Sequence, residues 1–232
     1  MTQVFENQLF RRLHDRNSRS VFSDIEFRKC RFDNCDISIT DDPRLRSTVR
    51  HVRLIDCEYY ETGGLSAAII EEALVDGLRI HGLLQTWGMV FKHVTLRGRI
   101  GRMMLSNNIA PVITTQATQR AFAEANAAYY GNVDWALDIS EAEFQELSFR
   151  GIPGRLVRRD RETQVVVTRQ KAMRGEWRGL DLERTYWQVA IELMLERGDE
   201  DVVLVAPKRA KEFNHLLRGI QLLRDAGVAE PD

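Results

Sequence analysis

Hydrophobic and polar positions follow three different rhythms along this chain, and each predicts a different kind of element. In residues 20–39, SVFSDIEFRKCRFDNCDISI, the large apolar residues Phe22, Phe27, Phe32 and Ile37 recur every five residues, and Ser20, Ile25, Cys30 and Cys35 stand two places before them. A step of five carries a side chain around a helix at about 100° per residue, and in a continuous strand it flips each ring to the opposite face. All the rings stay inside only if the chain turns after every short extended piece. That pattern predicts a coil of a solenoid, with the intervening charges outside.

The phase breaks at TDDPRLRST, where Pro43 and two aspartates predict a loop. Two further units fit afterwards, Val52 with Leu54 and Cys57 with Tyr59. The rhythm then loosens to apolar-x-apolar-x-Gly at Leu78–Gly82 and Val94–Gly98, read as short strands ending in turns. Residues 65–75, LSAAIIEEALV, keep a helical alternative through Ile69, Ala73 and Leu74. The five-residue unit, large apolar at its centre and small two places earlier, resembles that of the pentapeptide-repeat family. The resemblance covers residues 20–61 and thins out towards Leu105. It implies four units per square coil, wound as a right-handed β-helix. Some members of that family are similar to DNA in shape and charge and bind topoisomerases. Residues 1–61 here carry eleven basic and eleven acidic groups, so the acidic rod is missing and that function is not carried over.

After Pro111 the rhythm changes again. TQATQRAFAEANAAYY places Phe122, Ala125 and Tyr129 at helical spacing, with Gly131 as its stop. Residues 139–149 predict a second short helix, Ser140 and Glu143 forming a capping box. Leu156–Arg158 and Gln164–Thr168 read as a hairpin around Asp160–Thr163. Residues 181–197 predict an amphipathic helix with Leu182, Tyr186, Val189, Ala190 and Leu193 on one side. Val202–Val205 reads as a buried strand. A last helix follows Pro207, with Phe213, Leu216, Leu217, Ile220 and Leu223 as its stripe and Gly227 as its cap. The fold class expected is α+β: a segment 1–19 as N-terminal cap, a short right-handed β-helix over 20–110, and a mixed α/β segment over 111–232.

Composition adds limits rather than motifs. The chain has 232 residues, 44% hydrophobic and 29% charged, with a net charge of −1, which is ordinary for a folded protein. Charge is unevenly spread: residues 150–178 hold nine basic against three acidic groups, flanked by acidic stretches. In the predicted hairpin alternate residues face one side, so several of Arg150, Arg155, Arg158, Arg159, Arg161, Arg169, Lys171 and Arg174 would converge in a stripe for an anion or nucleic acid, with Trp177 as a stacking surface, against the plainer reading of a solvated hairpin paired with the neighbouring acidic helices. The N-terminal stretch has no apolar core of the signal-peptide kind, and no run approaches eighteen apolar residues. Cys30, Cys35 and Cys57 are read as reduced thiols. With His51 they sketch a zinc set, but Cys30 and Cys35 fill the small slot of the repeat, which accounts for them without metal. Asp134 with Asp138, and Glu192 with Glu196, lie four apart, a spacing that serves a metal or acid–base pair but usually marks an exposed helix face.

No catalytic residue, cofactor or metal is assigned: GxSxG, P-loop, GxGxxG and HExxH patterns are all missing. The expected function is a non-catalytic interaction or scaffold protein of the cytoplasm with a protein partner, a class that includes partner-specific inhibitors and immunity-type proteins. The alternative is a nucleic-acid-binding protein using residues 150–178. No membrane attachment is expected, and a homo-oligomer is compatible with either reading.

Overall fold

The computed structural model describes residues 1–60, 65–110 and 115–230. Glu61, which ends the five-residue segment, and Pro111, which opens the C-terminal region, lie outside the described residues. Short extended pieces come first: β1 (Gln3–Glu6), β2 (Leu9–Arg11), β3 (His14–Arg16), β4 (Val21–Arg28), β5 (Arg31–Asp33) and β6 (Asp36–Ile39). Longer and shorter strands then alternate: β7 (Thr48–Tyr60), β8 (Leu65–Ser66), β9 (Ile69–Glu71), β10 (Leu74–Trp87), β11 (Val90–Lys92) and β12 (Val94–Ser106). The helical alternative for residues 65–75 is not taken up. Helix α1 (Gln116–Tyr130) separates these from β13 (Leu137–Asp138), β14 (Ala142–Phe149) and β15 (Val157–Arg158).

These strands correct the expected fold class. Thirteen of them form one parallel sheet whose main path runs β1-β4-β7-β10-β12-β13-β15, which makes the chain α/β in type. A short N-terminal β-helix followed by an unrelated segment does not describe it, because strands on both sides of residue 110 belong to the same sheet. Typical registers are Phe5 opposite Phe27, Phe27 opposite Leu54, and Ile100 opposite Phe144.

The five-residue spacing has a local consequence. Non-glycine residues take left-handed backbone angles at Asn7, Arg12, Lys29 and Asn34, each bending the chain between extended pieces, and at Asp24 within β4. The bends bring Phe5, Phe10, Phe27 and Phe32 together, neighbouring ring centroids 5.2–5.5 Å apart in alternating stacked and edge-on pairs. Ile37 packs against the same interior.

Helix α1 starts where Thr115 caps it, its side chain accepting from the Thr118 N–H. It buries Phe122, Asn126 and Tyr130. Arg46 ties it to the sheet. The buried guanidinium donates to Asn126 Oδ1 at 2.5 Å and to the Gly88 carbonyl at 3.1 Å, and lies 4.6 Å from the Phe122 ring centre. Burial lowers its pKa to about 10.

Two local expectations fail for physical reasons. Residues 139–149 are not a helix; most of the segment is strand β14, paired with β12 from Gly98↔Ala142 to Leu105↔Phe149. Its Ala142 and Phe144 turn inward while Glu143 and Gln145 turn outward, and Ser140 bonds Asp138 instead of closing a capping box. The hairpin is also absent. The Asp160–Thr163 turn forms, with Asp160 accepting from Glu162 N and Thr163 Oγ1, but β15 joins β13 in parallel. The next strand, β16 (Gln164–Thr168), goes elsewhere.

The remaining elements are α2 (Arg169–Met173), α3 (Trp187–Arg197), β17 (Asp201–Val205) and α4 (Phe213–Asp225). Strand β16 pairs antiparallel with β17 as a two-stranded ribbon. Strand alternation splits the ribbon's side chains between two cores. Val166, Val203 and Val205 enter the sheet's interior, while Val165, Val167, Val202 and Leu204 face α2, α3 and α4. Helices α3 and α4 meet closely at Gly219, where a Cβ would stand 2.8 Å from Trp187. Helix α4 begins at Phe213 rather than just after Pro207, because the intervening loop is held to the sheet by Arg209 N to Phe144 O, 3.1 Å, and Arg209 Nη1 to Ile100 O, 3.2 Å.

Candidate functional site

A groove of about 430 Å³ lies where the end of the sheet meets the C-terminal ribbon and helices. Its walls are β14 with the following turn, α3 and the 207–212 loop; β17 forms its floor. The volume falls within the range of ligand clefts, ~300–1,000 Å³.

The wall from β14 ends at Gly151, whose φ of 79° and whose approach to Asn107 leave no room for a side chain; an added Cβ would stand 2.1 Å from Asn107 Cβ. That turn leaves the preceding Arg150 half-buried at the groove. Helix α3 supplies the opposite wall. It buries Trp187, Ile191 and Met194, so the side expected from the sequence to be buried is rotated: Tyr186 is 73% exposed and Val189 55%. Leu193 continues that second stripe, half-buried. Gly198, left-handed at φ 78°, ends the helix and delivers Asp199 and β17.

The lining of the groove carries both signs of charge, Arg102, Arg150, Arg197, Arg209 and Lys211 beside Glu146, Asp199, Asp201 and Glu212. Arg102 pairs with Glu146 at 2.7 Å. Arg150, Arg197 and Lys211 have no carboxylate within ion-pair distance among the described residues. Burial lowers the Arg150 pKa, and the neighbouring Arg197 lowers it further. Burial raises the Asp199 pKa against the pull of Arg197, Arg150 and Arg169. Asp201 is likewise raised by burial, while its carboxylate accepts from the Gly154 N–H at 2.9 and 3.0 Å.

Of the nine residues singled out in the sequence, only Arg150 lines this groove. Arg155, Arg161 and Arg174 are exposed. Arg158 lies over the Trp135 ring at 4.0 Å. Arg159 donates to the carbonyls of Gly154 and Val157, and Arg169 to that of Leu195. Lys171 bonds Ala229 O at 3.2 Å and Glu230 at 3.4 Å. Trp177 is 1% exposed, its Nε1–H donated to Ala172 O, so it is a core residue and presents no open face. The hairpin that would align these residues is absent, while Arg150 and Arg169 both act on Asp199, and Arg155 and Arg159 on Asp201. The sequence reading missed Arg197, Asp199 and Lys211, which come from three different elements. One signal was legible: apolar residues on two sides of α3.

Other candidates are also placed. The thiols of Cys30, Cys35 and Cys57 are free and donate to the carbonyls of Phe5, Phe10 and Phe27, while His51 is exposed on a bend. Asp134 bonds His93 Nε2 at 2.6 Å, and Glu72 bonds His93 Nδ1 at 2.5 Å. Asp138 bonds Ser140, and Glu192 and Glu196 are exposed on α3. No helix among the described residues is long and apolar enough to cross a membrane. No protein-family model, curated protein or solved structure matches the chain.

Proposed function

We propose that this is a non-catalytic, cytoplasmic protein-binding protein whose partner docks in the groove. The observation that carries the reading is the double-sided helix α3. Trp187, Ile191 and Met194 satisfy its core contact, yet Tyr186, Val189 and Leu193 form a second apolar stripe at the groove, with the first two exposed. Exposed aromatic and aliphatic residues beside arginines are the composition of a protein-docking patch. Three free thiols suit a reducing compartment. The hairpin from which the nucleic-acid alternative was argued is absent, since β15 pairs with β13 and β16 with β17.

The test is a paired capture from lysate with the wild-type chain and a Tyr186→Asp/Val189→Asp variant, nuclease-treated, read by quantitative mass spectrometry. A protein retained by the wild type and lost from the variant supports the reading, provided both melt alike. Identical capture by the two, or recovery that vanishes with nuclease, would sink it.

A further inference from the structure

The first three strands form a layer with one edge unpaired and exposed. Among the described residues, β1, β2 and β3 pair only with β4, β5 and β6. Backbone bonds show which groups that pairing uses. Asn7, Arg12 and Asn17 donate their N–H groups to the carbonyls of Arg28, Asp33 and Ile39, and the carbonyls of Gln8 and Leu13 accept from Arg31 and Asp36. Successive residues of a strand direct their backbone groups to opposite edges. Val4, Glu6, Leu9, Arg11, His14 and Arg16 therefore point theirs away from the second layer. All six are exposed, Val4 at 52% and Leu9 at 49%. The rings of Phe5 and Phe10 stack on Phe27 and Phe32 but remain half-buried.

We propose that two copies of this chain join through this layer, about a two-fold axis at Phe10, as a homodimer. The six free positions are symmetric about that residue, one, four and six places to either side. The axis sets β2 antiparallel to the partner's β2, and β1 antiparallel to the partner's β3. Every free residue then meets a free residue: Leu9 the partner's Arg11, Glu6 the partner's His14, and Val4 the partner's Arg16. None of these pairs opposes like charges, and each occurs twice. Glu6, which has no ion pair of its own among the described residues, meets an imidazole already held through Nδ1 by Asp36 at 2.6 Å. The arginine stems lie along Leu9 and Val4. A single extended segment of another protein would follow one strand and lose the next, because the chain turns at Asn7 and Arg12. A layer with the same bends at the same spacing matches all three, and this chain carries one. Such an interface is isologous, so it closes at two copies. None of its residues lines the groove, which stays available to a different partner.

The test is sedimentation equilibrium of the full chain over a concentration series, beside Glu6→Lys. The wild type should reach twice the chain mass, and Glu6→Lys should raise the dimer Kd about tenfold or more, since the change acts at two symmetric pairs. Register is read by oxidising Leu9→Cys chains mixed with Arg11→Cys chains. Opposed residues of a hydrogen-bonded antiparallel pair stand about 5.5 Å apart, within disulfide reach. Linked dimers should form faster in the mixture than from either variant alone, with the wild type in the same oxidant as the control for Cys35. Thermal melts matching the wild type show that the variants are folded. A wild type that is monomeric at every concentration, a dimer that withstands Glu6→Lys, or linkage no faster in the mixture overturns the proposal. So does a dimer dispersed by Tyr186→Asp/Val189→Asp instead, which would place the contact at the groove.

Discussion

The two ends of the thirteen-stranded sheet face opposite circumstances. At one end, β1 pairs only with β4, and Val4, Leu9, Leu13 and Val21 are exposed around half-buried Phe5 and Phe10. At the other, β15 also has a single partner, yet Phe144, Phe149, Ile152 and Val157 share a fully buried cluster with Val166, Val203 and Val205 of the ribbon. The same kind of interior is open in one place and closed in the other. A parallel sheet does not finish itself. Its last strand leaves both backbone groups and apolar side chains unmet, and a separate unit must cover them. In this molecule the C-terminal ribbon and helices are that cover, and the groove is the seam it leaves.

The comparison is broken or sharpened by measurements of graded size. The largest contrast is between equivalent rings at the two ends. Phe144→Ala removes a fully buried ring at the closed end and should cost about 3–5 kcal/mol, whereas Phe5→Ala at the open end should cost about 1 kcal/mol. Urea unfolding of both variants checks this, and equal losses would mean that the open end is covered in solution. Next comes Gly151→Ala at the seam. A left-handed backbone and the close approach of Asn107 predict a loss of about 1–3 kcal/mol, together with altered chemical shifts at Arg150. The smallest effect concerns His93, which joins β12 to the α1–β13 connection. The hydrogen bond to Asp134 raises its pKa, burial opposes that, and Glu72 adds to the rise. Both ring nitrogens meet carboxylates, so the imidazolium is the form the fold favours. Its stabilisation is complete below the ordinary histidine value of 6.5 and is lost as pH climbs through the raised one. Stability should therefore drop by about 0.5 kcal/mol between pH 6 and pH 9, and His93→Gln should flatten that difference.

The sequence was most readable where a side-chain pattern and its partner lie close together. Phe27, Phe32 and Ile37 of the five-residue series, helix α1 with Phe122, the Val202–Val205 strand and the stripe of α4 from Leu216 to Leu223 were visible from spacing, whereas Phe22 does not join the core. What stayed hidden depended on distant pairing. Strand β14 has a capping-box sequence at its start, and nothing local reveals that β12 will claim it. Strands β13 and β15 are two residues each, too short to have a rhythm. The turn at Asp160 was legible, but the choice of β17 over β15 as the partner of β16 was not. For the site, Arg150 was visible as one charge among many. Arg197 and Lys211 join it only through the packing of α3 and the 207–212 loop.

The left-handed bends carry a last consequence, for how such a chain can change over generations. A glycine at each would relieve strain of about 1 kcal/mol, yet Asn7, Arg12, Asp24, Lys29, His51, Asp56, Glu72 and His93 stand there instead. Most of these side chains point to solvent while the residues beside them build the interior. Each exposed bend is thus an address at which surface chemistry can be rewritten one codon at a time, whereas Ser38 and Ala67, at two further left-handed bends, are buried. Glu72 and His93, which meet across two such addresses, show how a cross-strand contact arises without any alteration inside.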